Sequence, residues 1–292
     1  MAKPHRLAIP AALFVAVLAI SFAASFFRKA MPTHPLIMAG LRLTVAAACL
    51  APFTIRGLLR GTLRGRALRG GLLAGVLYGI HFGAWVTSLT LTSLAASVTL
   101  VTTTPLLLGI VGWLTGRDRP DRRLWVGLAV AASGLALIGG TDLARGLDNL
   151  TGDGAALLGM AAIAGYFLVG RSLGDRFDLL AFSGLACAVG AAALLCTALL
   201  AGIPLAPASG EAMLWISLSA LLPQLIGHNL LTWALRHATP SQVAMAVVGE
   251  PVGATLIGWL WLGERVGGVE ALGCGLTLVA VAVVVTGPGE RR

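Results

Sequence analysis

The chain has 292 residues, of which 57% are hydrophobic and 11% charged, with a formal net charge of +9. That balance excludes a water-soluble domain, because apolar runs of about 20 residues recur from end to end, each long enough to cross a hydrocarbon core about 30 Å thick as a helix. The positive charge does not imply nucleic acid: the basic residues sit in short segments between apolar runs, where a membrane-orientation signal belongs.

At that depth only a helix satisfies its own backbone polar groups, so the expected fold is an all-α polytopic membrane protein. Apolar runs predict ten transmembrane helices, at about 7–27, 36–55, 70–91, 95–115, 124–140, 153–171, 179–201, 212–234, 242–262 and 269–286. The start, Lys3 and Arg6 followed by an apolar stretch to Phe27, has the look of a signal peptide. Its length and its place in an internal repeat argue that it stays as the first spanning helix. The cysteines Cys49, Cys187, Cys196 and Cys274 lie inside apolar runs without metal-like spacing and read as small core residues.

One pattern occurs twice. Pro105 is followed by apolar or small residues and then Gly112-Trp113-Leu114, and Pro251 by the same kind of run and Gly258-Trp259-Leu260. The offset is half the chain, and it also carries Gly127 onto Gly273. The sequence is therefore read as a duplicated unit: residues 1–141 as the first five-helix repeat, 142–152 as an outer linker, and 153–292 as the second repeat. With the N-terminus inside, sixteen basic residues fall in cytoplasmic segments, while only Arg28, Lys29, Arg145 and Arg265 fall outside. This positive-inside split places both termini in the cytoplasm. Five helices per copy is an odd number, so the second copy crosses the bilayer in the opposite sense, an inverted-topology repeat of the kind that builds alternating-access transporters.

The third helix carries Gly71, Gly75, Gly79 and Gly83 at every fourth position, a small-residue stripe for close helix packing. Tyr78, His81 and Trp85 fall on another face, as a wall for a solute or as packed rings with an interhelical hydrogen bond. The eighth helix, its equivalent in the second half, offers Gln224, His228 and Thr232 at four-residue spacing, with Asn229 beside them and Pro223 as a kink. Thr99, Thr102 and Thr103 in the fourth helix are expected to hydrogen-bond their own backbone. Two ionisable residues sit deep: Glu250, directly before Pro251, and Arg42 in the second helix. Glu250 reads as a proton-sensitive or amine-binding group and Arg42 as a partner for a carboxylate; either also reads as a buried structural pair or a snorkelling charge.

On these motifs the sequence resembles the drug/metabolite transporter superfamily, in its ten-helix EamA-type branch. The resemblance rests on Arg42-Leu43 followed by alanines, on the two proline-to-glycine repeats, and on Trp261-Leu262-Gly263-Glu264 at the end of the ninth helix. The first copy departs from the family pattern, with Thr115-Gly116-Arg117 where Leu-Gly-Glu is common. The resemblance implies transport of small metabolites across the cell inner membrane, often export of amino acids, through a central cavity walled by both halves. The rings of Tyr78, His81, Trp85 and Tyr166 would suit an aromatic or amphipathic solute.

The expectation is thus a secondary transporter, exporting amino acids, with Arg42, Tyr78, His81, Trp85, Tyr166, His228 and Asn229 at the substrate and Glu250 as a coupling candidate. Its expected partners are a small-molecule substrate, the lipid bilayer and possible coupling protons; no cofactor and no nucleic acid is expected, and an oligomer is not required. An importer or a drug exporter of the same fold shares every one of these features. An intramembrane enzyme is a remote alternative, since no His-Glu-x-x-His or Gly-x-Ser-x-Gly is present.

Overall fold

The computed structural model describes residues 7–92, 94–143, 150–174, 177–263 and 266–285, with the side chains of 94–96, 138–143, 262 and 270 left aside. These residues form ten helical rods. In chain order, α1 is Ala8–Ile20 with Ala23–Lys29, α2 is Pro35–Leu59, α3 is Gly65–Leu91, α4 is Leu94–Val101 with Thr104–Thr115, and α5 is Arg122–Leu143. The second half repeats the order: α6 is Leu150–Leu173, α7 is Leu179–Leu200, α8 is Gly210–Ser219 continuing through Ala220–His228 and Asn229–Ala234, α9 is Pro240–Val247 with Glu250–Leu262, and α10 is Gly268–Val285. Eight stretches among the described residues are long and apolar enough to cross a membrane, and α5 and α10 complete the ten. The chain is an all-helical polytopic membrane protein.

Local chemistry sets the helix starts. Asp178 accepts from the Ala181 N–H and Ser209 from the Ala212 N–H, satisfying donors that the first turns of α7 and α8 leave open. Thr239 and Gln242 form a reciprocal capping box at α9. The ends of α4 and α9 are closed by Gly116 and Gly263, both left-handed, at φ +68° and +70°.

The helices pair with a twofold logic. α2 packs on α7, α4 on α9 and α5 on α10, while α3 packs on α6 as α8 packs on α1, and α3 meets α7 as α8 meets α2. Exchanging every helix for the one five places away leaves these pairings unchanged, as a pseudo-twofold axis between halves requires. Because each half has five helices, the second is inverted with respect to the first.

Glycines set the tightest crossings. A Cβ on Gly71, Gly75 or Gly83 would stand 2.6 Å, 2.5 Å and 2.7 Å from side-chain atoms of Leu185, Val189 and Leu194, so the glycine stripe of α3 is the seat of α7. The recurring Gly127 lies in the α5–α10 seam, where a Cβ would collide with Val284. Gly112 lies where a Cβ would come within 2.9 Å of the Asp118 carbonyl, and so lets the α4–α5 connection fold back over the end of α4.

Several rods are not the continuous helices that hydropathy suggests. α1 breaks at Ser21 and Phe22, α4 at Thr102 and Thr103, and α9 at Val248 and Gly249. The expected kink at Pro223 takes the form of a π-helical stretch over Ala220–His228. Two of the four cysteines, Cys49 and Cys196, are exposed rather than core residues; only Cys187 is buried. A bilayer-facing position accepts a small apolar side chain as readily as a core position does, which is why hydropathy did not separate them. Part of the expected 142–152 linker, and Glu264 and Arg265, lie outside the described residues.

The arginines gather at one end of the bundle. Arg171 of α6 is paired with Asp118 of the α4–α5 connection at 3.2 Å and donates to the Leu235 carbonyl at the end of α8. Arg66 donates to the Ser172 carbonyl, and Arg236 to that of Phe177. These bonds lace together the connections at the basic end, including some that belong to different halves.

Candidate functional site

The two breaks in α4 and α9 are the same feature of the repeat. The half-chain offset carries Thr102-Thr103 onto Val248-Gly249 and Thr104-Pro105 onto Glu250-Pro251. In each copy proline stands in the first turn of a new helix, where its missing N–H costs nothing. The repeated motif that begins at Pro105 and Pro251 is therefore the outer part of a half-helix whose N-terminus lies inside the protein. Ser21 at the α1 break donates to the Val17 carbonyl of its own helix at 2.8 Å and lies 3.3 Å from the Glu250 carbonyl, and Gly253 provides the space for that serine.

Both half-helix N-termini open onto one central cavity of about 40 Å³. Its walls include Thr104 and Glu250 from the breaks, Arg42 from α2, His81, Phe82 and Trp85 from α3, Ile163 and Phe167 from α6, and His228 and Leu231 from α8. Contributions thus come from both halves. The volume accommodates a few water molecules, since one needs roughly 10–15 Å³ on this measure, and no amino acid. In this conformation the cavity is too narrow for such a solute.

Arg42 is fully buried. Its guanidinium lies over the Phe82 ring at 4.4 Å and near that of Phe27 at 5.5 Å, and Nη2 donates to Gln224 Oε1 at 3.1 Å. Nε and Nη1 have no hydrogen-bond partner. A buried N–H left unpaired costs about 1–3 kcal/mol, more on a charged group, so these donors favour an anionic or strongly polar ligand. Two other cavity-lining groups are in the same condition: Trp85 Nε1 and His228 Nδ1. Glu250 is the carboxylate of the cavity lining, at the N-terminus of its half-helix, where the helix dipole favours negative charge.

His81 is fixed by its 2.9 Å hydrogen bond to the Gly159 carbonyl. A carbonyl only accepts, so Nδ1 carries a proton, and Nε2 is the nitrogen left for a ligand. The ring lies parallel to that of Trp85, at 6.1 Å between centroids.

The other predicted site residues are placed differently. Tyr78 and Tyr166 stack on each other at 4.0 Å and 10°, in the seam between α3 and α6, and neither is among the residues lining the cavity. Thr232 donates to the His228 carbonyl at 2.8 Å, so the 2.9 Å bond between Tyr166 and Thr232 has the tyrosine hydroxyl as donor. Asn229 donates to the Leu225 carbonyl of its own helix and does not reach the cavity. Thr102 and Thr103 bond back to their own turns, whereas Thr99 Oγ1 is buried without a partner.

Sequence reasoning missed Phe82, the ring beneath Arg42, and Thr104. Phe82 gives no signal in one sequence, being one phenylalanine among many apolar residues. Thr104 was within reach, since it is the repeat counterpart of Glu250.

Ten spanning helices in two inverted halves, meeting around a narrow central cavity at two broken helices, define the architecture of a membrane transporter. The model of the EamA-like transporter family matches the chain twice, over residues 8–140 and 150–286. The chain belongs to that family, an EamA-type branch of the drug/metabolite transporter superfamily, and as a member it works on a small-molecule substrate from within a lipid bilayer. A solved crystal structure is similar in fold, with a TM-score of 0.76 and 20% sequence identity over 96% of this chain and 98% of the other. No curated protein matches the chain.

Proposed function

We infer that the protein exports amino acids, aromatic or amphipathic ones by preference, across the cell inner membrane by alternating access. The observation that carries this reading is the pairing, in one ring-walled cavity, of Arg42, with two unpartnered guanidinium nitrogens, and Glu250. An α-carboxylate on Arg42 and an α-ammonium on Glu250 would satisfy both charges, and Trp85 and Phe82 would take the side chain. The cavity is too small for such a solute in this conformation, so admission requires the two halves, residues 1–141 and 153–292, to rock against each other. The basic end of the bundle is the cytoplasmic one by the positive-inside rule, which puts both termini in the cytoplasm. Glu250 is the coupling group in this reading, carrying a proton when it releases the amine.

Efflux from cells loaded with a panel of dipeptides tests the proposal. Cells expressing the protein should lose aromatic amino acids faster than vector controls. No difference across the panel would reject amino acid export.

A further inference from the structure

A second cavity, of about 230 Å³, lies between α4, α5 and α9. Leu106, Ala129 and Ala132, all exposed on the flank of the bundle, stand at its mouth, so it opens toward the bilayer and away from the substrate cavity. The lining is almost wholly apolar, with Leu128, Leu135 and Val248 inside it, and its two threonines spend their hydroxyl protons on their own turns: Thr102 Oγ1 donates to the Val98 carbonyl at 2.8 Å and Thr103 Oγ1 to that of Leu100 at 2.6 Å. Trp125 closes the end nearest the arginines, its ring edge 3.6 Å from where a Cβ on Gly109 would be.

The connection beside this cavity is net basic: Arg117, Arg119, Arg122 and Arg123 stand against Asp118, which is paired with Arg171, and Asp121, which caps α5 by accepting from the Leu124 N–H. Arg119 and Arg122 are exposed and Arg123 half-buried in the α4–α5 connection and the first turn of α5, and Arg122 precedes Trp125 by three residues on the same helix face. At 1.5 Å per residue, Arg122 stands roughly 5 Å from Trp125 along the axis and roughly 20 Å from Leu135 at the far end, the reach of one long acyl chain. A basic patch at the interface next to an apolar slot within the hydrocarbon layer is the chemistry that recognises an anionic phospholipid.

We propose that this flank is a binding site for one anionic phospholipid, with an acyl chain in the α4–α5–α9 cavity and the phosphate on Arg119, Arg122 and Arg123. The site stands back to back with the substrate cavity. Val101 and Thr104 face the substrate side of the α4 break while Thr102, Thr103 and Pro105 face the lipid side, and in α9 Val247 and Glu250 face one cavity and Val248 the other. A chain seated there touches both breaks.

The experiment is native mass spectrometry of the full chain in detergent, titrated with phosphatidylglycerol or with phosphatidylcholine of the same acyl chains. The wild type should hold one phosphatidylglycerol about 30- to 100-fold more tightly than phosphatidylcholine, as two or three basic residues facing a net negative rather than a zwitterionic headgroup imply. Ala132→Phe, which places a ring in the mouth, should weaken both lipids, and Arg122→Ala with Arg123→Ala should erase the preference while leaving the chain contact. Equal affinity for the two lipids in the wild type overturns the proposal without recourse to any variant. So does a lipid adduct that Ala132→Phe leaves unchanged, or a dimer mass in place of the adduct, which would give the flank to a second copy. The readout is bound lipid, so its outcome is independent of which solute is carried.

Discussion

Arg42 is the residue on which the proposed substrate chemistry turns. Its charge is buried, held on one side by Gln224 and the face of Phe82, and its remaining N–H groups have no partner. Arg42→Gln removes the charge those donors would present to a carboxylate, and transport should fall by about 10- to 100-fold with a raised KM, read as initial efflux rates against internal substrate. Arg42→Lys keeps the charge without the planar fork and should recover only part of the loss. Trp85, with an unpartnered indole N–H at the cavity wall, makes a different prediction: Trp85→Ala should lower transport of aromatic solutes selectively. Equal loss for all solutes, or none, would contradict the assignment. Position along the chain showed that Arg42, Glu250, His81, Trp85 and His228 are polar or aromatic groups inside the membrane. It did not show that Tyr78 would turn away to stack on Tyr166, because a helical wheel gives the direction of a side chain and not which neighbour's ring fills that space.

At the scale of elements, glycine positions decide how closely helices approach. A Cβ on Gly75 would stand 2.5 Å from Val189 and 2.9 Å from the Ala186 carbonyl, and the latter is backbone that cannot swing aside. Gly75→Leu should therefore push α3 off α7 and destabilise the fold by about 1–3 kcal/mol or more, seen as a lowered unfolding temperature in detergent. Gly116→Ala at the αL end of α4 should cost about 1 kcal/mol by backbone strain alone, in the same assay. The glycine stripe and the proline repeats were legible in the sequence because their spacing is geometric. The breaks before Pro105 and Pro251 were not, because Thr102-Thr103 and Val248-Gly249 are as apolar or small as their neighbours and a hydropathy window runs through them. A proline inside a spanning run was the available signal: in the first turn of a helix it is favourable, so it marks a helix start as readily as a kink.

Over the whole molecule, duplication explains the fold, and the differences between the two copies explain the asymmetry of the site. The two copies pair their helices with twofold symmetry, yet the cavity receives Thr104 from one break and Glu250 from the other. One carboxylate opposite one arginine is what a zwitterion needs and what a strictly symmetric cavity would not provide. The repeat, the helix count and the inversion were open to reading from one sequence, because hydrophobic length and the parity of five leave little freedom. The narrowness of the cavity was not, since it depends on side-chain packing across the pseudo-twofold axis. If Glu250 carries the coupling proton, Glu250→Gln should abolish the response of efflux to an imposed pH gradient while exchange continues; gradient-driven flux unchanged in that variant would remove the role.

Counterflow is the most direct measurement of the central claim. Purified protein would be placed in vesicles loaded with unlabelled tryptophan, and entry of labelled tryptophan followed with no gradient imposed. A carrier that alternates about the Arg42–Glu250 cavity predicts a transient accumulation of label in the wild type, largely retained in Glu250→Gln and lost in Arg42→Gln. No counterflow by the wild type, or counterflow that Arg42→Gln leaves intact, would contradict it.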